Sequence, residues 1–132
     1  MNGVRTGNTG QNGIVRSGVA LVAMVGLIHL IEAPEYLEEV TYVGVLFFLN
    51  AIGAAASAYG ILRGRSWGWP LGALIAAGAF VAYVLSRTVG LPGAGILAQD
   101  SFFEPIGVAS LLVEALFLAL YAVGFTRRTS TA

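Results

Sequence analysis

Cysteine and lysine are both absent from this chain of 132 residues. Without cysteine there are no disulfides, no thiolate metal sites and no thiol redox chemistry. Without lysine, all seven basic residues are arginine, which, with the abundance of Ala, Gly and Val, points to a GC-rich bacterial genome. Charge of either sign is scarce. Only 11% of residues are charged, where a soluble domain carries about a quarter. The arginines form no patch broad enough for nucleic acid. His29 is the one histidine, so paired histidine ligation of a haem within one chain is excluded. The glycine-rich stretch Gly90–Gly95 lacks the lysine and following helix of a phosphate loop, and no Ser–His–Asp arrangement is readable from spacing.

What is present is hydrophobic length. The chain is 57% hydrophobic with mean hydropathy +0.80, and four apolar runs are each close to the roughly 20 residues that cross a bilayer as a helix. No alternating pattern suggests a barrel, and an isolated chain in lipid must satisfy its own backbone hydrogen bonds. The expected fold is therefore all-α, a four-transmembrane-helix bundle, with helices about 14–32, 41–62, 68–88 and 105–125. Residues 1–13, rich in Gly, Asn and Thr, read as a disordered cytoplasmic N-terminus, and 127–132 as a cytoplasmic tail. The first run reads as an uncleaved helix rather than a signal peptide, because Ile31 and Pro34 suit a cleavage site at Ala33 badly.

Arginine marks three segments: Arg5 and Arg16 before the first run, Arg63 and Arg65 after the second, Arg127 and Arg128 after the fourth. By the positive-inside rule these are cytoplasmic, as are both termini, and the protein is expected in the plasma membrane. The first and third connections, which carry Glu32, Glu35, Glu38, Glu39, Asp100 and Glu104, then face outward. Trp67 and Trp69 suit the inner interface and Tyr36, Tyr42, Phe102 and Phe103 the outer one. Pro34 is expected to end the first helix, with residues 35–39 as a solvated acidic segment. Pro105 suits the first turn of the fourth.

Each run carries a small or polar stripe at helical spacing: Gly18, Val22, Gly26 and His29, then Glu32; Asn50, Gly53, Ser57 and Gly60; Gly72, Ala76, Tyr83 and Arg87; Gly107, Ser110, Glu114 and Tyr121. Small residues let membrane helices approach closely, so the stripes should face one another. Their polar members describe an outward vestibule that tapers to a mid-membrane pair of Glu114 and Asn50. Charge at that depth is costly, which marks Glu114 as a functional candidate. The candidate ligand-binding set is Glu114, Asn50, Tyr83, Arg87 and Ser110. His29 and Glu32, three apart on one face, could share a divalent metal cation with Glu104. Arg87 could pair with Glu32 or Glu104.

In length and four-span plan the chain resembles the small multidrug transporters. These carry an essential glutamate within the first helix, where the acid of this chain, Glu32, stands at the outer end. The general pattern, including Arg63-Gly64-Arg65-Ser66-Trp67-Gly68-Trp69 between the second and third runs, resembles small bacterial membrane proteins, which implies a membrane location and not an activity. The expectation is a small polytopic membrane protein that binds or transports a proton, a metal cation or a small polar ligand. It would be surrounded by membrane lipid and act as a homo-oligomer. The alternatives are an accessory subunit of a larger membrane complex, or an enzyme acting on a lipid or quinone.

Overall fold

The computed structural model describes residues 6–130. Those residues form four α-helices and one short 3-10 turn: α1 (Thr6–Glu39), α2 (Thr41–Leu62), α3 (Gly68–Arg87), the turn Gly95–Gln99, and α4 (Pro105–Ser130), with no strand among them. All four helices are long and apolar enough to cross a membrane, so the protein is a multi-pass helical bundle. The helices run up and down in ring order, each packing on its neighbours in sequence and α4 closing on α1. One end of the bundle carries the α1–α2 and α3–α4 connections and is acidic. The other carries the α2–α3 connection with Arg63 and Arg65.

The first helix departs from expectation at both ends. It begins by Thr6, so residues 6–13 are helical, and it runs through Pro34 to Glu39; residues 1–5 lie outside the described part. Proline removes one backbone hydrogen bond, but packing beyond it outweighs that local preference. Leu37 lies against Gly44 of α2 so closely that a Cβ there would meet its backbone. Tyr36 is set against Phe47 with ring centroids 4.5 Å apart. The acidic stretch 35–39 is thus helix, and Val40 alone, with φ −144° and ψ 91°, separates α1 from α2. The bounds of α2 and α3 lie close to those expected, and α4 starts at Pro105 but runs to Ser130, five residues past its expected end and into the expected tail.

The end of α2 follows a Schellman pattern. Gly64 takes φ +63°, its N–H donates to the Ile61 carbonyl at 3.1 Å, and the Arg65 N–H donates to the Gly60 carbonyl at 2.8 Å. Here α2 and α3 nearly touch: a Cβ on Gly60 would sit 2.8 Å from the Gly68 Cα, and the Ser57 hydroxyl donates to the Gly68 carbonyl at 2.8 Å. A packed cluster of Val22, Ala54, Ile61, Ala76 and Phe117 fills this arginine end. Trp69, expected as an interface anchor, turns inward instead. It stacks on Phe117 at 5.6 Å and covers Gly18, where only a hydrogen leaves room for the indole.

At the acidic end the α3–α4 connection folds over the bundle. Ala94 and Leu97 bury against Val40 and Val43, flanked by Tyr36, Phe47 and Leu91. The Tyr42 hydroxyl donates to the Pro92 carbonyl at 2.6 Å, and the Tyr83 hydroxyl to the Phe102 carbonyl at 2.9 Å. Between the packed arginine end and this roof lies a cavity.

Candidate functional site

The cavity measures about 470 Å³ and is lined from all four helices, including His29, Asn50, Tyr83, Arg87, Ser110 and Glu114. That size falls within the roughly 300–1,000 Å³ of small-molecule sites. These six polar residues come from the stripes read in the sequence, because a helix repeats about every 3.6 residues and stripe positions recur at three and four.

Asn50 lies nine residues after Thr41 and Glu114 nine after Pro105. A rise of 1.5 Å per residue puts each about 13–14 Å along its helix from the acidic end. Glu114 is 1% exposed. Its Oε1 accepts a hydrogen bond from the Ser110 hydroxyl, one turn earlier on the same helix, at 2.8 Å. The second oxygen, Oε2, is buried with no partner, and so is Oδ1 of Asn50. Asn50 and Glu114, the pair expected at one depth, face one cavity without a hydrogen bond between them, and each keeps a bare acceptor.

From another helix, His29 approaches Glu114. Its Nε2 stands 3.9 Å from Glu114 Oε1, beyond hydrogen-bond range. Its Nδ1 lies 2.9 Å from the Val25 carbonyl one turn back. A carbonyl only accepts, so Nδ1 carries a proton and Nε2 is the nitrogen presented to the cavity. Phe47 packs edge-on against the imidazole, centroids 4.8 Å apart. The ring is thereby held on both sides.

His29 turns toward Glu114, Glu104 is engaged by Arg87, and among the described residues no three His, Cys, Asp or Glu side chains are grouped to hold a metal ion. His29, Glu32 and Glu104 therefore do not assemble as a ligand set.

Arg87 tops the cavity, with 8% of its surface exposed. Its Nη1 donates to the Leu97 carbonyl at 3.2 Å and lies 3.4 Å from Asp100. Its Nη2 donates to the Tyr36 hydroxyl at 3.1 Å and to Glu104 at 3.2 Å. The guanidinium also lies over the Tyr83 ring, 5.1 Å from its centroid. Of the two carboxylates expected for it, Glu104 is the partner. Glu32 makes no such pair; the second acid is Asp100. The fork geometry of arginine suits this job, because five donors radiate in one plane. One residue thus ties α3 to α1 and to the connection that forms the roof.

Two participants lie outside the stripes read in the sequence. Phe47 stands three residues before Asn50 and follows from the same spacing. The Leu97 carbonyl carries no sequence signal, since any residue supplies one. Tyr121, by contrast, is half-buried and lines no part of the cavity.

The cavity is lopsided in charge. Around its floor stand a carboxyl, a carboxamide and an imidazole; its one arginine lies at the opposite end, where it faces Asp100 and Glu104 and keeps Nε buried without a partner. Such a floor suits a ligand that donates hydrogen bonds or carries positive charge. Against protein-family models, curated proteins and solved structures alike, the chain finds no match.

Proposed function

We propose that this protein is a small membrane protein that binds a cationic or hydrogen-bond-donating small ligand in its bundle cavity, with Glu114, Asn50 and His29 as the recognition groups. The observation that carries this reading is the pair of buried oxygens without partners, Glu114 Oε2 and Asn50 Oδ1. A buried acceptor left unpaired costs about 1–3 kcal/mol, and two of them on one cavity make a site whose unmet capacity matches a donor. The absence of a three-ligand cluster among the described residues favours an organic cation or a proton over a metal ion.

The arginines at one end of the bundle support an orientation with both termini in the cytoplasm of the plasma membrane. The cavity then lies in the outer half of the bilayer. Four helices make a small pathway, so transport, where it occurs, fits a homo-oligomer or association with a larger membrane complex.

The test is titration of nanodisc-embedded protein with methylamine, followed by calorimetry. Saturable binding by the wild type and its loss in Glu114→Gln support the reading. Binding that survives in Glu114→Gln unchanged excludes the carboxyl group as its centre. Asn50→Ala supplies a second, half-buried position should the first variant fold poorly.

A further inference from the structure

The cavity has a side opening, and its position bears on what the ligand is. Helices α2 and α3 touch at the arginine end through Gly60 and Gly68 and, further along, through Gly53 and the tip of Ile75. Beyond that they part. A Cβ on Gly78 of α3 would meet nothing within 4 Å, although Gly78 lines the cavity. Three leucines that also line it are turned outward: Leu46 is 52% exposed, Leu49 57% and Leu74 71%. In a helix that crosses a membrane, an outward leucine meets acyl chains. The gap between Leu46 and Leu49 on one side and Leu74 and Gly78 on the other therefore joins the cavity to the hydrocarbon layer. At the acidic end the cavity is bounded by the buried Arg87 and Leu97 and by Glu32, Tyr36 and Glu104, which also line a second cavity of about 440 Å³.

From this juxtaposition of an apolar side gap and a polar floor we propose that the ligand is a lipophilic amine, an ammonium group on an apolar tail, that enters from the bilayer between α2 and α3. Its nitrogen reaches Glu114 Oε2 and Asn50 Oδ1, which need donors, and its tail lies along Leu49, Leu74 and Gly78 and continues into lipid. An anionic head is disfavoured, because it would meet the Glu114 carboxyl with no free cation at the floor. A purely apolar molecule would leave both oxygens unpaired. A second copy of this chain seated in the gap would fill the leucine-lined opening and supply no donor at the floor.

This inference rests on the binding site proposed above, and the experiment separates the two. Radiolabelled decylamine and methylamine are each equilibrated with wild-type protein in nanodiscs, with empty nanodiscs subtracted, and with three variants. Gly78→Phe places a ring in the open gap. Val81→Phe places the same ring on an exposed part of α3 that does not line the cavity. Glu114→Gln alters the floor.

The expected result is saturable decylamine binding, stronger than methylamine binding by about tenfold or more, as burial of even a few methylenes requires. Gly78→Phe should weaken decylamine by about tenfold more than it weakens methylamine, and Val81→Phe should leave both amines bound as in the wild type. Glu114→Gln should weaken both amines. Equal affinity for the two amines, or decylamine binding indifferent to Gly78→Phe, overturns the lateral route while the site stands. Binding of both amines that ignores Glu114→Gln overturns the site as well. A wild-type dimer in native mass spectrometry that Gly78→Phe dissociates, with no decylamine bound, assigns the gap to a second copy and overturns the lipophilic ligand.

Discussion

The Ser110 hydroxyl donates to Glu114 Oε1 at 2.8 Å, within one turn of α4, and so fixes which carboxyl oxygen is left bare. With Oε1 occupied, Oε2 is the atom free to receive a ligand. Ser110→Ala should release that orientation. The expected loss is about 1 kcal/mol in the binding of methylamine, roughly a fivefold rise in Kd, smaller than the loss in Glu114→Gln. Parallel titrations of the two variants check the order; a larger effect in Ser110→Ala contradicts the assigned geometry.

His29 offers a spectroscopic check, since it is the one imidazole of the chain. The Val25 carbonyl holds Nδ1 at 2.9 Å, so Nδ1 should show a protonated-nitrogen resonance at every pH at which the protein is folded. Only Nε2, 3.9 Å from Glu114, should change on adding an amine ligand. Nitrogen-edited NMR of protein labelled at histidine reads both. A proton on Nε2 alone is incompatible with the structure.

Arg87 should matter to stability more than an ordinary membrane-interface arginine. Its side chain is buried, whereas Asp100 and Glu104 are about half exposed (47% and 44%), and solvent screening weakens both ion pairs. Its hydrogen bonds to Leu97 and Tyr36 add to them. Arg87→Ala should lower stability by about 2 kcal/mol and expose the 88–104 connection to protease. Arg87→Lys keeps the charge but loses the fork, and should recover only part of the stability. Thermal unfolding in detergent and limited proteolysis measure the two effects.

Two glycines of α3, six residues apart, should respond oppositely to alanine. A Cβ on Gly72 would lie 2.5 Å from the Ser57 hydroxyl and 2.6 Å from the Phe117 ring, so Gly72→Ala should cost about 1–3 kcal/mol by overpacking. A Cβ on Gly78 meets open space, and alanine favours helix, so Gly78→Ala should raise stability by about 0.5–1 kcal/mol. Destabilisation by Gly78→Ala would mean that the α2–α3 gap is closed.

The lack of cysteine makes orientation directly measurable. Single substitutions Ser66→Cys and Ser101→Cys sit on the two connections at opposite ends of the bundle. In intact cells an impermeant thiol reagent should label Ser101→Cys and spare Ser66→Cys. The reverse pattern contradicts the orientation argued from the arginines.

Apolar runs of about 20 residues were enough to specify four helices, because the hydrocarbon layer imposes both length and hydrogen bonding on any segment that crosses it. Helical periodicity was likewise enough to bring His29, Asn50, Ser110 and Glu114 toward one interior. Sequence spacing stops at the single helix, however. It gives depth along an axis and says nothing of rotation between neighbours, so it put Asn50 and Glu114 at one level without deciding whether they bond, and they do not. The same limit hid the turn of His29 toward Glu114 and the inward stacking of Trp69. Pro34 shows a second limit: its local preference for ending a helix loses to contacts made by Tyr36 and Leu37 with α2, which exist only once the helices are assembled. The roof over the cavity and the gap between α2 and α3 likewise belong to the assembly alone. They arise where Gly60 and Gly68 draw two helices together at one end and nothing draws them together at the other.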